Sequence, residues 1–525
     1  MLTLDQRLAV GPDAEAAGMR LERLRETLVK LPGDSAGTAL LAAMLASGTY
    51  LPDLLLADPE RLPRLLADPW LHREKPRDLF AREVEAACSG ARSLAELQRA
   101  LRRYAHGEML RLGAREIGAG VGTLSLALPE HGLTLEVARE LSFFADACLR
   151  AAVRFCAAEL RAGFGDPVCN DSTPGYSVIA MGKLGGEELN FSSDIDLIYV
   201  YASDDGQAGS LSLHEFYGRL SKAITRAISE STDDGFVFRV DLRLRPEGQS
   251  GAICNSLAAA ESYYESFGRT WERQALLRAR YAAGEAWLGE AFLKTVEPFV
   301  YPRVAGIGTL EEVRSLRKMF VASTSEAAWD VKLGTGGIRD VELVAQVLQL
   351  LYAGKRRDLR ERTTLPALNK LGLAGLVSDQ ENRTLTSAYR LLRRIEHRLQ
   401  LEHGQQTQRM PDDQAGIDCL AKRLGYAGAN EFTAVLEDTR AAVSAIADTL
   451  GEPSSGPPAA VLRMLSPTTS SAALASELCA AGFRDLAQST YRLEISGGRL
   501  PPEWLEEAIA SPDPDRALAL FCDLA

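Results

Sequence analysis

Three aspartates combine residue type and spacing in a way that suits a divalent cation. Asp194 and Asp196 lie two residues apart in the run NFSSDIDLIYVY, and Asp241 lies in the run GFVFRVDLRLRP. On a β-strand, residues two apart point to the same face, so the first two carboxylates would project together. Acidic side chains among apolar neighbours are costly to bury unless a cation compensates them, and Mg²⁺ prefers carboxylate oxygens. We therefore expect Asp194, Asp196 and Asp241 to be catalytic residues that hold Mg²⁺, with two ions about 3.5–4 Å apart.

Hydrogen-bond donors that suit phosphate surround these aspartates. The glycine pair in GKLGGEELNF lets the backbone approach a ligand closely, and serine hydroxyls and arginine guanidinium groups follow it along the chain. The candidate nucleotide- or phosphate-binding residues are Gly185, Gly186, Ser192, Ser193, Arg243 and Arg245. Each has a simpler interpretation, since a glycine pair is usually a turn and both arginines could pair with Asp241. The combination with three aspartates favours metal-dependent chemistry on a nucleotide.

Strands and one amphipathic helix must position these residues. The apolar runs 176–181 and 194–201 predict two strands, separated by the glycines and by one helical turn at 187–190. An apolar stripe predicts a helix from about 212 to 229 that packs on a sheet. Strict alternation over 236–244 predicts a third strand, whose even-numbered residues pack inward and whose odd-numbered residues form a polar face.

Helical periodicity on both sides of this segment predicts the domain organisation. Apolar residues recur at three- and four-residue steps before residue 165 and again from about 308 to 450, and GEPSSGPP has the composition of a linker. Prolines between 50 and 76 predict short helices there, and the charged residues of the N-terminal helices are expected to face solvent. We predict an α+β, mostly helical protein with an N-terminal helical region (1–165), an α/β core (166–305), a helical bundle (306–450), a linker (451–458) and the start of a helical inter-domain region (459–525).

Composition excludes some classes of protein and favours a compartment. The 525 residues carry a net charge of −12, whereas a protein that grips a nucleic-acid backbone usually has a basic surface, so we expect no nucleic-acid partner. No apolar run approaches 18 residues and the N-terminus does not resemble a signal peptide, so we expect no membrane partner. The eight cysteines form no C-x-x-C pair and are expected to be reduced. These features predict a cytoplasmic protein.

The glycine pair, the D-x-D and the third aspartate together resemble the nucleotidyltransferase superfamily that includes DNA polymerase β. Several longer motifs are similar to one family within it, the bacterial glutamine synthetase adenylyltransferases. These motifs, which fall between about residues 40 and 450, are GKLGGEELNFSSDIDLIYVY, GFVFRVDLRLRPEGQSG, YYESFGRTWERQALLRAR, VKLGTGGIRDVELVAQVLQL and YRLLRRIEHRLQLEHGQQTQRMP. The resemblance implies a polymerase β-like α/β core flanked by helical domains.

The resemblance also implies an activity. Members of this family carry two nucleotidyltransferase copies: the N-terminal copy removes AMP from a tyrosine of glutamine synthetase by phosphorolysis, and the C-terminal copy attaches AMP using ATP. This chain contains one set of motifs, and NFSSDIDLIY, VKLGTGGIRD and GQQTQRMP look more like the N-terminal, adenylyl-removing half. The resemblance therefore implies glutamine synthetase as protein substrate, phosphate, ADP and ATP as small ligands, and the PII signalling protein as a further candidate partner. It adds Lys332 and Arg339, which flank the Gly334–Gly337 loop, as residues that close the site from the helical domain, with a role in holding the domain interface as the alternative for Arg339.

Other functions share the same motifs. ATP-dependent attachment of AMP to glutamine synthetase would use the same aspartates, so the motifs alone do not separate the two directions. A non-catalytic docking module that senses nucleotide would also keep the site. A small-molecule nucleotidyltransferase would explain the D-x-D but not the GGIRD and WER segments. The motifs also leave open whether the chain is part of a two-copy enzyme or a stand-alone protein.

Overall fold

The computed structural model describes residues 3–9, 11–27, 31–120, 130–170, 172–302, 329–449, 461, 464–466, 469–496, 500–511 and 513–524. Helices predominate around small sheets, which confirms the predicted α+β, mostly helical fold class. The predicted linker at 451–458 lies outside the described residues. The predicted domain boundaries stay a prediction. One hydrophobic core extends from the N-terminal helices into the sheet.

The N-terminal region is helical, and the proline-punctuated stretch forms short helices, as its sequence predicts. The helices described before the first strand are α1 (Leu4–Ala9), α2 (Ala14–Thr27), α3 (Ser35–Leu45), α4 (Tyr50–Ala57), α5 (Arg61–Ala67), α6 (Arg77–Cys88), α7 (Leu94–Gly120) and α8 (Glu130–Phe164). No single described helix is both long and apolar enough to cross a membrane; only the sharply bent pair α3 and α4 passes a test of combined length and composition.

The expectation that the charged residues of these helices face solvent is wrong for several of them. Arg111 is buried between Glu108 and Glu140, with nitrogen–oxygen distances of 2.8 and 2.6 Å. Arg102 is fully buried and donates to backbone carbonyl oxygens, among them those of Ala227 and Gly235. Burial of these charges is tolerated because each is paired or hydrogen-bonded. Arg102 thereby links α7 to the α/β core, and Arg111 links α7 to α8.

A mixed sheet forms the centre of the α/β core. The strands are β1 (Pro167–Val168), β2 (Tyr176–Ala180), β3 (Ile195–Tyr201), β4 (Gln207–Ala208), β5 (Leu211–Ser212), β6 (Val240–Asp241), β7 (Cys254–Ser256) and β8 (Arg280–Gly284). The main sheet has the order β6-β3-β2-β8, and β7 also pairs with β3. β2 is antiparallel to β3 and β8, whereas β6 and β7 run parallel to β3. Helices α9 (Gly182–Gly185), α10 (Leu213–Ser229), α11 (Leu257–Ser266), α12 (Thr270–Leu276) and α13 (Ala286–Val300) complete the core.

Two local predictions in this segment are wrong. The helical turn lies at Gly182–Gly185 rather than at 187–190, because Glu187 has a left-handed backbone (φ 57°) that cannot continue a helix. The third strand is limited to Val240–Asp241, and its alternation fails at the start, where Phe236 is 42% exposed and Val237 only 4%. The amide of Val237 donates to the carbonyl of Ile228, so this backbone follows the end of α10 instead of the sheet.

Helix α10 begins and ends as its sequence predicts and packs its apolar stripe on the sheet. Ser212 caps it through a reciprocal pair of hydrogen bonds with Glu215, at 3.2 and 3.0 Å. We expect Ser212→Ala to lower the free energy of unfolding by about 1 kcal/mol, because the backbone amide of Glu215 loses its acceptor and the Glu215 carboxylate loses the hydroxyl donor. Urea titration measures the change, and Ser210→Ala in the adjacent exposed loop is the matched control. Equal stability of the two variants would contradict the prediction.

A helical module follows the core and packs against it. Its helices are α14 (Ile338–Tyr352), α15 (Thr364–Leu373), α16 (Asp379–His403), α17 (Gln414–Arg423) and α18 (Ala429–Thr449). The apolar face predicted for α16 is buried, from Leu385 to Leu399. Its C-terminal half is also buried on the opposite side, where Arg393, Glu396 and His397 face the α/β core. Further along, α19 (Ser471–Ala480), α20 (Leu486–Ser496), α21 (Pro502–Ala510) and α22 (Pro514–Leu524) share a separate core.

Candidate active site

The parallel pairing of β3 and β6 places two of the three aspartates side by side. Asp196 on β3 is the register partner of Asp241 on β6. Paired residues of neighbouring strands lie about 4.8 Å apart and point to the same face. Asp194 precedes β3 by one residue and is near enough for its charge to raise the pKa of Asp196. The structure therefore brings the three predicted aspartates together.

The carboxyl group of Asp196 has a raised pKa. Burial, followed by the negative charges of Asp241 and Asp194, raises its pKa to about 6, while Lys332 and Arg243 oppose the rise. Gly182, with φ +54°, lies directly over this side chain, and a methyl group there would overlap the carboxylate of Asp196. The excess of negative charge at this point is what a bound cation would relieve.

Arginine side chains form ion pairs with Asp194 and Asp241. Asp194 Oδ1 accepts a hydrogen bond from Arg239 Nε at 2.6 Å. A second nitrogen of Arg239, Nη2, donates to the carbonyl of Ser192. Asp241 accepts from the Arg243 backbone amide at 2.8 Å and from its guanidinium at 2.8 Å. Burial alone would raise the pKa of Asp241, but these bonds outweigh it and hold the pKa below its usual value. In the described residues no three His, Cys, Asp or Glu side chains are gathered closely enough to share a metal ion.

Arg243 and Arg245 occupy different places, although the sequence pattern put them on one face. The Arg243 side chain is 67% exposed and lies against Asp241, where its charge also acts on Asp196 and Asp194. Arg245 instead donates to the carbonyls of Ala252, Leu242, Gln249 and Gly251, at 2.8–3.1 Å. Four of the five N–H groups of this guanidinium are used within its own loop, which gives Arg245 a structural role, and its predicted contact with phosphate stays a prediction.

Gly185 and Gly186 allow the backbone to pack closely, and their amide groups are already hydrogen-bonded. The amide of Gly185 donates to Met181 at 2.8 Å and that of Gly186 to Gly182 at 3.1 Å. A methyl group on Gly185 would overlap the carbonyl oxygen of Arg278. Both amides are therefore occupied inside the turn, which contradicts their predicted role as phosphate donors. Within this turn Gly182 is the glycine that faces an aspartate.

The two serines lie at the entrance to β3. The amide of Ser192 donates to Gln400 Oε1 of α16 at 3.0 Å, and its side chain is buried. Ser193 is partly buried, and its amide is 3.5 Å from the carbonyl of Asn190. Their predicted contact with phosphate stays a prediction.

The helical module supplies Lys332 to the site. Lys332 is near enough for its charge to lower the pKa of Asp196 against the effect of burial. Gln406, from the loop after α16, lies 3.5 Å from Asp194 Oδ2. Antiparallel pairing of Asp330 with Arg409 joins the loops that carry Lys332 and Gln406. These two loops form one wall of the site.

Arg339 is placed differently from Lys332. The acidic residues close enough to raise its pKa are Glu342, Asp330 and Asp340, all in its own segment, although burial lowers the pKa further than they raise it. Its amide donates to the carbonyl of Lys332 at 3.1 Å. Arg339 therefore lies among the acids of the helical module, and its predicted contact with nucleotide stays a prediction.

A buried ionic layer joins the glycine turn to the helical module. Lys183 Nζ donates to Glu396 Oε1 at 2.7 Å. Glu188 accepts from the amide and hydroxyl of Thr364 at 2.9 and 3.0 Å, and Arg278 lies 3.3 Å from it. Arg393 donates to the carbonyl of Glu188 at 2.6 Å. The sequence around each residue does not indicate such pairs, because Lys183 and Glu396 are 213 residues apart.

Residues that the sequence interpretation did not assign to the site are Arg239, Lys183, Glu396 and Gln406. Arg239 had a usable signal, since it lies two residues before Asp241 on the same alternating pattern. Glu396 also had one, because it is an acidic residue directly beside the apolar stripe of a long helix. No sequence pattern indicated a role for Gln406, apart from the motif GQQTQRMP that contains it.

The features described above define a nucleotidyltransferase core. They are a strand, a glycine-containing turn, a D-x-D pair at the start of the next strand, and a third aspartate on a parallel neighbouring strand. Residues 38–295 match the model of the family described as glutamate-ammonia ligase adenylyltransferase. Residues 309–450 match the model described as GlnD PII-uridylyltransferase. These matches show that residues 38–295 form a domain of the glutamate-ammonia ligase adenylyltransferase family.

Several similar relatives are named bifunctional glutamine synthetase adenylyltransferase/adenylyl-removing enzyme. One from Stenotrophomonas maltophilia is 38% identical over 71% of this chain and 42% of its own length. One from a Bradyrhizobium species is 36% identical over 82% of this chain and 44% of its own. One from Xanthobacter autotrophicus is 34% identical over 97% of this chain and 53% of its own. The chain thus spans about half the length of the curated relatives it matches. The family match and the names of these relatives confirm the family predicted from the motifs.

Proposed function

We propose that this chain removes AMP from an adenylylated tyrosine of glutamine synthetase by phosphorolysis, and so regulates nitrogen assimilation. The observation that carries the proposal is the side-by-side placement of Asp196 and Asp241 on parallel strands, in a chain of this family. The direction is supported by NFSSDIDLIY, VKLGTGGIRD and GQQTQRMP, which resemble the adenylyl-removing half. The relatives' name includes both activities, and this chain spans about half their length.

The oxygen donors of the three aspartates are of the type that suits Mg²⁺, which we propose as the cofactor, although in this structure the three carboxylates are not gathered around one point. Asp194, Asp196 and Asp241 offer carboxylate oxygens, the ligand type that Mg²⁺ prefers, and the raised pKa of Asp196 reflects uncompensated negative charge. When bound, Mg²⁺ would neutralise phosphate charge and help to orient the attacking oxygen. Arg239 and Arg243 hold the outer carboxylates in its place, and both are exposed enough to turn away.

The protein's own cations suit the phosphate groups of the reaction. An oxygen of inorganic phosphate attacks the phosphorus of adenylyl-tyrosine, the bond from phosphorus to the tyrosyl oxygen breaks, and tyrosine takes up the proton as ADP forms. Arg243 follows β6 and Lys332 precedes α14, and the charges of both act on Asp196. Both could orient phosphate and stabilise the charge that develops on the transferred group.

The direct test supplies glutamine synthetase carrying AMP, together with Mg²⁺ and phosphate. We expect ADP and unmodified glutamine synthetase to form in equal amounts, as measured by chromatography of the nucleotide and mass spectrometry of the protein. A parallel reaction contains ATP and unmodified glutamine synthetase, since the adenylyltransferase named in the relatives would release pyrophosphate there. Labelling in the second reaction without ADP in the first would overturn the proposed direction. The PII protein is a candidate effector that can be added to either reaction.

A further inference from the structure

Helix α16 contacts the loop that leads into β3 along one of its faces. Arg393 donates to the carbonyl of Glu188 at 2.6 Å. Two turns further along the helix, Gln400 Oε1 accepts from the amide of Ser192 at 3.0 Å. Residues seven apart lie on the same face of a helix, so this face holds two points of the loop. Of the two contacts, the one made by Gln400 is closer in sequence to the aspartates.

The backbone of Ser192 is held at both of its polar groups. Its amide donates to Gln400, and its carbonyl accepts from Arg239 Nη2. The same guanidinium donates through Nε to Asp194 Oδ1 at 2.6 Å. Arg239 thus connects the Ser192 backbone to the Asp194 carboxylate, so that a displacement of one is transmitted to the other. The helical module also reaches Asp194 through Gln406, whose Nε2 lies 3.5 Å from Oδ2.

Only the oxygen of the Gln400 amide group makes a hydrogen bond. The side chain is fully buried, and its Nε2 has no hydrogen-bond partner among the residues that the structure describes. A buried polar atom without a partner lowers stability, and an apolar side chain of similar length would avoid this loss. Packing alone therefore does not account for a glutamine at this position, whereas the need for an acceptor at the Ser192 amide does.

We propose that Gln400 is a positioning residue, which fixes the backbone of Ser192 and, through Arg239, the direction of the Asp194 carboxylate. This inference rests on the proposed function, in which Asp194 is a ligand of Mg²⁺. Without the Gln400 oxygen, the buried amide of Ser192 must move to reach another acceptor, and the segment that carries Asp194 moves with it. The metal then binds more weakly, because a ligand that is no longer held in place must be ordered when the metal binds.

Two substitutions separate the hydrogen bond from the volume of the side chain. Gln400→Met keeps its length and removes the acceptor of the Ser192 amide, whereas Gln400→Glu keeps an oxygen there. The probe is Mn²⁺, which like Mg²⁺ is suited by carboxylate oxygens, and whose free form is measured by electron paramagnetic resonance. We expect Gln400→Met to raise the Kd for Mn²⁺ about tenfold, and Gln400→Glu to stay within about threefold of the wild type.

Gln349→Met is the matched control, because Gln349 is also a buried glutamine of the helical module. It lies on α14 and donates to the carbonyls of Leu359 and Glu361, at 3.0 and 2.7 Å. We expect this variant to have a lower free energy of unfolding, measured by urea titration, but a Kd for Mn²⁺ within about twofold of the wild type. Equal weakening of Mn²⁺ binding in Gln349→Met and Gln400→Met would identify general destabilisation as the cause and overturn the inference.

The Mg²⁺ dependence of turnover gives a second readout. In the ADP-forming assay, Gln400→Met should raise the Mg²⁺ concentration for half-maximal rate about tenfold, while the rate at saturating Mg²⁺ falls less than about threefold. A purely structural defect would instead lower the rate by the same factor at every Mg²⁺ concentration, and that result would overturn the inference.

The role of Gln400 and the proposed function fail in different ways. An unchanged Kd for Mn²⁺ in Gln400→Met, or equal losses in Gln400→Met and Gln400→Glu, would overturn the role of Gln400. A wild type that binds Mn²⁺ but forms no ADP would overturn the proposed function, because Mn²⁺ binding is measured without glutamine synthetase.

Discussion

Replacing Asp196 by asparagine is expected to lower the rate of ADP formation about 1,000-fold without lowering stability. Asparagine keeps the shape of the side chain but removes the charge beside Asp241, and a single preorganised charged group at a phosphoryl-transfer site is worth about this much. Burial and neighbouring acids disfavour the ionised form of Asp196, raising its pKa to about 6, so the neutral amide removes an unfavourable charge at neutral pH. The free energy of unfolding should therefore stay equal or rise.

Opposite effects on rate and stability distinguish a functional carboxylate from a structural one. The matched control is Asp205→Asn, an exposed aspartate in the loop after β3, for which we expect an unchanged rate. Single-turnover assays with adenylylated glutamine synthetase, combined with urea titration, measure both quantities. A rate within twofold of the wild type, or a large loss of stability, would show that Asp196 does not have the proposed role.

The elements that carry the aspartates were predictable because their signals are local. The stripe of α10 follows the helical period over 17 residues, and its cap is a serine followed by glutamate at the third helical position. β3 is an almost unbroken apolar run, which is typical of a strand buried on both faces. Such patterns depend only on residues within one element.

The roles of the arginines were not predictable from alternation, because alternation assumes that the strand continues. β6 ends at Asp241, so residues beyond it no longer alternate between two faces of a sheet. Arg245 turns to the carbonyls of its own loop, while Arg239, before the strand, reaches Asp194. The end of a strand is set by tertiary packing, and one sequence contains little information about it.

The role of the glycine pair was also not predictable from the sequence alone. Its sequence suits a phosphate-binding turn, but whether its amides are free depends on which carbonyls lie within reach after folding. The carbonyls of Met181 and Gly182 take both amides, and the backbone of Arg278 fills the space beside Gly185. The glycines are needed because two chain segments approach closely, a contact that spans more than 90 residues.

Gly185→Ala is expected to destabilise the protein by about 2–3 kcal/mol through overpacking. A methyl group there would overlap the carbonyl oxygen of Arg278 and lie 2.9 Å from that of Ala180. Neither carbonyl can withdraw easily, because Ala180 is in β2 and the Arg278 side chain is fixed by Thr364 at 2.8 Å and Glu342 at 3.2 Å. The strain is therefore relieved only by separating the turn from β8 or from the helical module.

Gly107→Ala is the matched control, since this glycine lies within α7 and a methyl group there meets no atom within 4 Å. We expect it to raise the free energy of unfolding by about 0.5–1 kcal/mol, because alanine favours a helix more than glycine does. Urea titration of both variants, together with KM for phosphate, separates the two roles of Gly185. A Gly185→Ala protein that is as stable as the wild type but has a raised KM for phosphate would restore the phosphate-binding role and contradict the packing role.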